Sequence, residues 1–127
     1  MAVLIPGMAL AARAQKAVGT PYIWGGNSLV GGVDCSGLVQ QVFKEFGIQL
    51  PRVTYEQIGV GAAVKKNKIS VGDLVFFDTD RTKSGPDHVG IYIGNGRFVH
   101  APRPGQAVQI SSLADSYYSG RLMAIRR

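Results

Sequence analysis

The chain has 127 residues, 46% of them hydrophobic, with 14 basic and 8 acidic side chains, a formal charge of +6 and a single cysteine. It is the size of one domain and can bury a core without staples, and the lone cysteine excludes an internal disulfide. No run is long enough to span a membrane, and the scattered positive charges lack the interleaved aromatics of a single-strand binder, which argues against nucleic acid as a partner. The net charge suits either an anionic partner or ordinary solubility.

Residues 1–14 carry an apolar run ending in Ala-Arg-Ala, but a basic start is missing and Pro6-Gly7 interrupts it, so a secretion signal is the weaker reading. An alanine-rich helix over residues 8–18 is expected instead, capped by Gly19 and prevented from continuing by Pro21. The domain is taken as 1–127, with residues 1–7 a leader or an appended segment. Tyr22 and Trp24 alternate, as in a short strand with two core aromatics, and Trp24 is read that way. Tyr22 stays open between core and a phenol that donates to a developing oxyanion. The glycines from Gly25 to Gly32 suit a loop lining a cleft.

Leu38, Val39, Val42, Phe43 and Phe46 share one face at a 3.6-residue period, which predicts an amphipathic helix stopped by Gly47. Asp34 is a good N-cap type, so Cys35 falls in the first turn, where unpaired N–H groups and the helix dipole favour a thiolate. The Asp34 carboxylate works against that charge, so a cationic partner is needed. A buried, inert thiol is the alternative, and a polar, glycine-rich approach argues against it.

Beyond Leu50-Pro51, Arg52 can hold a substrate carboxylate or pair with an internal acid, the second being favoured. Thr54 to Gly61 is expected as a short helix or turn, and Lys65 to Lys68 as a solvated loop. Leu74 to Phe77 reads as a buried strand entered through a Gly72-Asp73 turn, and residues 78–87 as a polar loop overhanging the site. His88 and His100 flank Gly94-Asn95-Gly96. A two-residue turn would place them on opposite faces, whereas a three-residue loop pairs Ile93 with Arg97 and His100 with Gly90. The second register is expected: it puts His88, Gly90, Tyr92, Phe98 and His100 on one face, with room at Gly90 for the imidazoles to meet. Either histidine taken alone could be a satisfied strand residue. Strands near 107–110 and 121–126 complete a sheet of about five antiparallel strands.

These blocks, Gly19-Thr20-Pro21-Tyr22-Ile23-Trp24-Gly25-Gly26, Asp34-Cys35-Ser36-Gly37-Leu38-Val39, Leu50-Pro51-Arg52, Gly72 to Phe77, His88 to Gly94 and Phe98-Val99-His100-Ala101, resemble in order those of the NlpC/P60 cysteine peptidases, departing from the pattern at Val71, where proline is common. The resemblance implies an α+β, papain-like fold with N-terminal helices packed on the sheet. It implies Cys35 as nucleophile, His88 as general base and acid, and His100 as the residue orienting His88. It also implies a peptidoglycan stem peptide as substrate, cut between D-glutamate and the diamino acid, with Tyr22, Asp34, Ser36 and Arg52 near the substrate's end. Residue types lead to the same chemistry: a thiolate forms an acyl-enzyme, and one histidine moves the protons while the other orients it. No cofactor is expected, since one cysteine and two histidines make a poor zinc set and zinc would block the nucleophile. Anionic wall polymers are a further expected partner, and the expected location is extracytoplasmic, in cell wall or periplasm, with delivery by a parent protein or machinery. The alternatives are an amidase or acyltransferase on the same fold, marked by a long hydrophobic groove beside Cys35, and a non-catalytic wall-binding module.

Overall fold

The computed structural model describes residues 7–80 and 82–127, so the expected leader falls outside the described residues except for Gly7. Helix α1 runs Gly7–Lys16, two residues short of the expected end. Its last turn tightens, with Ala17 and Val18 donating to Ala14 and Gln15, before Gly19 leaves the helix at φ +98°. Two short paired strands follow, β1 (Asn27–Ser28) and β2 (Gly32–Val33).

Helix α2 (Cys35–Lys44) matches its expected face: Leu38, Val39 and Val42 are fully buried, and Phe43 nearly so. Each such burial stabilises the fold by roughly 1.5–3 kcal/mol. Gly47 reverses the chain at φ +80°. The one-turn helix α3 (Thr54–Gln57) precedes an exposed turn that carries Lys65, Lys66 and Lys68.

The main sheet contains β3 (Leu74–Phe77), β4 (His88–Gly94), β5 (Arg97–His100), β6 (Gln109–Ser112) and β7 (Leu122–Arg126), with the short helix α4 (Ser116–Ser119) before the last strand. The strand order is β6-β5-β4-β3-β7, antiparallel throughout. Both α1 and α2 cover one face, meeting Leu74, Phe76, Val89, Ile91 and Val99. The opposite face holds Val75, Phe77, Tyr92, Phe98 and Ile125, with Tyr118 of α4 packed against it. The fold is therefore α+β, as expected.

Two local expectations are corrected. Trp24 is not a core aromatic of a strand: only isolated bridges form at Pro21 and Tyr22, and the indole is 84% exposed. The turn at Gly25, φ +73°, swings the chain away from the core before a strand can continue. The loop between the histidine strands is also not three residues long. Asn95 and Gly96, at φ 54° and 73°, form a two-residue turn that pairs Gly94 with Arg97, so the expected Ile93–Arg97 pair does not form. A bulge between Tyr92 and Gly94 then restores the expected register, pairing Tyr92 with Phe98 and Ile91 with Val99. The slip that a two-residue turn would have caused is thereby cancelled.

Candidate active site

Asp34 sets the position of Cys35. Its backbone is extended, and its Oδ1 accepts the Gly37 N–H at 2.7 Å, so α2 begins at Cys35. Gly37 has no space for a side chain, because a Cβ there would overlap the Gly26 carbonyl oxygen. The helix start is thus pressed onto the Gly25-Gly26 turn. Arg52 completes this corner: it donates to Asp34 Oδ2 at 3.0 Å, to Ser36 Oγ at 2.8 Å and to the Gly26 carbonyl at 3.1 Å. The internal pairing favoured for Arg52 is what forms, and it leaves the Asp34 carboxylate still opposing a thiolate one residue away. Tyr22 stands half-buried in the same neighbourhood. Burial pushes its phenol up, helped by the charges of Cys35 and Asp34 and opposed by Arg52, which keeps the hydroxyl a donor.

The Cys35 sulphur reaches across to the sheet, 3.8 Å from Thr54 Oγ1 and 3.9 Å from the Asp87 carbonyl oxygen. Burial raises its thiol pKa, Thr54 lowers it, Asp34 raises it, and the backbone N–H groups of Val89 and Ser36 lower it. Its hydrogen-bond partners are Thr54 and Asp87, and His88 is not one of them.

His88 is the first residue of β4, immediately after Asp87, and His100 is the last of β5. Their shared face brings His88 Nε2 to 2.7 Å from His100 Nδ1, the meeting expected from the register. Gly90 makes room for it, since a Cβ there would stand 2.7 Å from the Phe98 ring and 3.3 Å from His100 Cβ. Desolvation pushes His88 down to about 4 against the opposing charge of Asp87. Desolvation, then the neighbouring His88, pushes His100 down to about 3. Both imidazoles are therefore neutral at pH 7.

Three contributors were missed from sequence. Ser111 Oγ lies 2.7 Å from His100 Nε2, because β6 pairs Phe98 with Ser111 beside the histidine. With the His100 proton on Nε2 and donated to Ser111, Nδ1 is free to accept the His88 Nε2–H. His88 Nδ1 is then left with its lone pair. Thr54 holds the sulphur, and Tyr118 packs on the dyad, its ring 6.3 Å from that of His88 and 5.3 Å from that of His100. A serine, a threonine and a tyrosine carry no distinguishing sequence pattern, so only the pairing of distant segments could have found them.

An apolar groove of about 710 Å3, lined by Leu10, Phe43, Ile48 and Leu50, opens at the C-terminal end of α2. The ten residues of that helix separate it from Cys35 by about 15 Å. It is not the groove beside the thiol that an acyl-chain substrate would need.

Residues 19–127 match the profile described as the NlpC/P60 family. The chain belongs to the NlpC/P60 family. It is 40% identical over 118 residues to murein DD-endopeptidase MepH of Escherichia coli, covering 91% of this chain and 43% of that protein. It is 38% identical over 110 residues to the γ-D-glutamyl-L-lysine dipeptidyl-peptidase of Bacillus subtilis, covering 87% of this chain and 37% of that one. The chain thus spans less than half the length of either relative. The crystal structure of an NlpC/P60 protein from Bacillus cereus superposes at a TM-score of 0.90 with 36% identity, over 98% of this NlpC/P60 chain and 41% of the other. No helix among the described residues is long and apolar enough to cross a membrane.

Proposed function

We propose that this chain is a cysteine endopeptidase of peptidoglycan stem peptides, cutting the γ-amide between D-glutamate and the diamino acid, with Cys35 as nucleophile, His88 as base and acid, and His100 orienting His88. The observation that carries this reading is the 2.7 Å bond between His88 Nε2 and His100 Nδ1, formed at the end of the sheet that the Cys35 thiol overhangs. In a peptidase family, that pair supplies a neutral base of fixed tautomer beside a helix-start thiol.

The steps follow from this proton arrangement. His88 Nδ1 takes the Cys35 proton, and the sulphur attacks the scissile carbonyl. The Cys35 N–H, lying ahead of the helix's own hydrogen-bond ladder, and the Tyr22 hydroxyl hold the oxyanion. The imidazolium gives its Nδ1 proton to the departing amine, leaving a thioester. Water, deprotonated by His88, then attacks the thioester, and the released thiolate recovers the proton. His100 stays neutral throughout, since burial opposes its charge. The imidazolium therefore receives less support than a carboxylate would give, and the thiolate supplies part of it.

Tyr22, Asp34, Ser36 and Arg52 form the wall on the acyl side, where the fixed corner of Asp34 and Arg52 presents both signs of charge to a peptide end. The reading includes extracytoplasmic action, in wall or periplasm, by a domain delivered by a parent protein or machinery, and attraction of the net charge of +6 to anionic wall polymers. The name of the MepH relative favours a second reading, cleavage of the D,D-cross-link.

The test is mass-spectrometric digestion of stem tetrapeptide, disaccharide-tetrapeptide and intact sacculi by the wild type and Cys35→Ala. Release of the dipeptide containing the diamino acid, absent with the variant, is expected. Uncrosslinked tetrapeptides from sacculi alone would move the assignment to the cross-link. No cleavage of any of the three by folded protein with a reduced, alkylatable thiol would overturn the peptidase reading.

A further inference from the structure

A second cavity, of about 530 Å3, opens at the same end of the sheet as Cys35 and is lined by Asp78, Lys83, Ser84, Arg121 and Met123. Sheet topology places it on the other flank of the thiol from Tyr22. Tyr22 is tied to the segment leading into β6 through its N–H to the Gln106 carbonyl. The Cys35 sulphur sits over the start of β4, at Asp87. Asp78 and Arg121 follow β3 and precede β7, beyond β4 in the strand order β6-β5-β4-β3-β7. An extended peptide with its acyl part near Tyr22 and its scissile bond at Cys35 therefore runs its leaving part toward this flank.

The wall carries opposite charges that do not pair with each other. Asp78 Oδ1 is buried without a hydrogen-bond partner among the described residues. Arg121 Nε is likewise buried without an acceptor. The two residues are joined only through the backbone, Asp78 N–H to the Arg121 carbonyl at 2.9 Å. Arg121 is held off the carboxylate by its bond to the Tyr117 carbonyl and by stacking 4.0 Å over the Tyr117 ring. Lys83, a second cation among the described residues of the wall, lies in the field of Asp80. Buried polar groups ordinarily find partners, and a site built to bond a group rejects ligands lacking it.

We propose that this cavity receives the side chain of the leaving diamino acid, and that Asp78 and Arg121 together select a side chain ending in both an ammonium and a carboxylate. The ammonium bonds to Asp78 and the carboxylate to the Arg121 guanidinium, a charge-assisted pair. The inference rests on the peptidase reading for its direction and names the substrate class that the reading leaves open.

The test compares three tripeptides, L-alanyl-γ-D-glutamyl followed by meso-diaminopimelate, L-lysine or L-norleucine. Wild type is expected to prefer the diaminopimelate peptide over the lysine peptide by about tenfold or more in kcat/KM. Arg121→Gln brings that ratio near one, and Arg121→Lys recovers part of it. Asp78→Asn, which leaves α4 untouched, collapses the preference for lysine over norleucine. A wild-type ratio near one, or a ratio unchanged in Arg121→Gln, overturns the proposal. If wild type cleaves no peptide, the peptidase reading fails and the subsite is judged separately, by following the amides of Gly120, Leu122 and Met123 in Cys35→Ala during titration with the three peptides. Larger shifts with diaminopimelate, lost on adding Arg121→Gln, uphold the subsite; equal or absent shifts sink it.

Discussion

Acidification makes the histidine pair a measurable liability. His88 and His100 are the only histidines of the chain, and both are buried and neutral, with pKa values pushed to about 4 and about 3. In the unfolded chain both titrate near 6.5. Below that value the unfolded state binds more protons than the native one, so stability is full above about pH 6.5 and falls as the pH drops toward the native values. Between about pH 7 and about pH 5, each histidine removes about 2 kcal/mol, a large share of the 5–15 kcal/mol typical of a domain. Carboxylates remain mostly ionised in that window, which isolates the imidazoles. Urea unfolding at the two pH values should show the loss, and His100→Gln should halve it. Equal stabilities at the two pH values, or an undiminished loss in His100→Gln, would refute neutral burial. Such a result would point to a thiolate–imidazolium pair, in which a raised His88 pKa opposes the loss.

Other consequences follow from single contacts. Gly90→Ala sets a methyl against Phe98 and His100 and should cost about 1–3 kcal/mol in urea unfolding, with loss of activity beyond the stability change. Ser111→Ala removes the acceptor of His100 Nε2–H: kcat should fall about tenfold with KM little changed, and the 15N shifts of His100 should report mixed tautomers, with Ser111→Thr restoring both. Trp24→Ala should leave stability within about 0.5 kcal/mol in thermal melts, because the indole is 84% exposed.

Sequence periodicity located α2, which buries one face, and an unbroken apolar, aromatic run located the Leu74–Phe77 strand, which is buried on both. The thiol was placed at a helix start for a different reason, since Asp34 is a capping residue type. The hairpin was legible in outcome but not in cause: pairing of the two histidines required the right register, and the bulge at Ile93 delivers it through a turn the sequence had counted against. Trp24 failed because a large aromatic carries a strong burial prior, while the glycine that turns it outward acts through one backbone torsion. Ser111, Thr54 and Tyr118 reach the site from segments whose approach depends on strand order and helix docking, which no local pattern encodes. Arg52 was legible as one end of an ion pair, whereas its additional grip on Ser36 and Gly26 emerges only once the chain has closed on itself.

The proposed nucleophile and histidines come from separate parts of this construction, Cys35 from a helix and His88 and His100 from a hairpin more than 50 residues later. Before those two parts dock, the chain carries an ordinary thiol with a reference pKa near 8.5 and two solvated imidazoles. In the proposed reading these groups become a catalytic set only once tertiary structure has formed, so a partly folded chain is inert toward amide bonds.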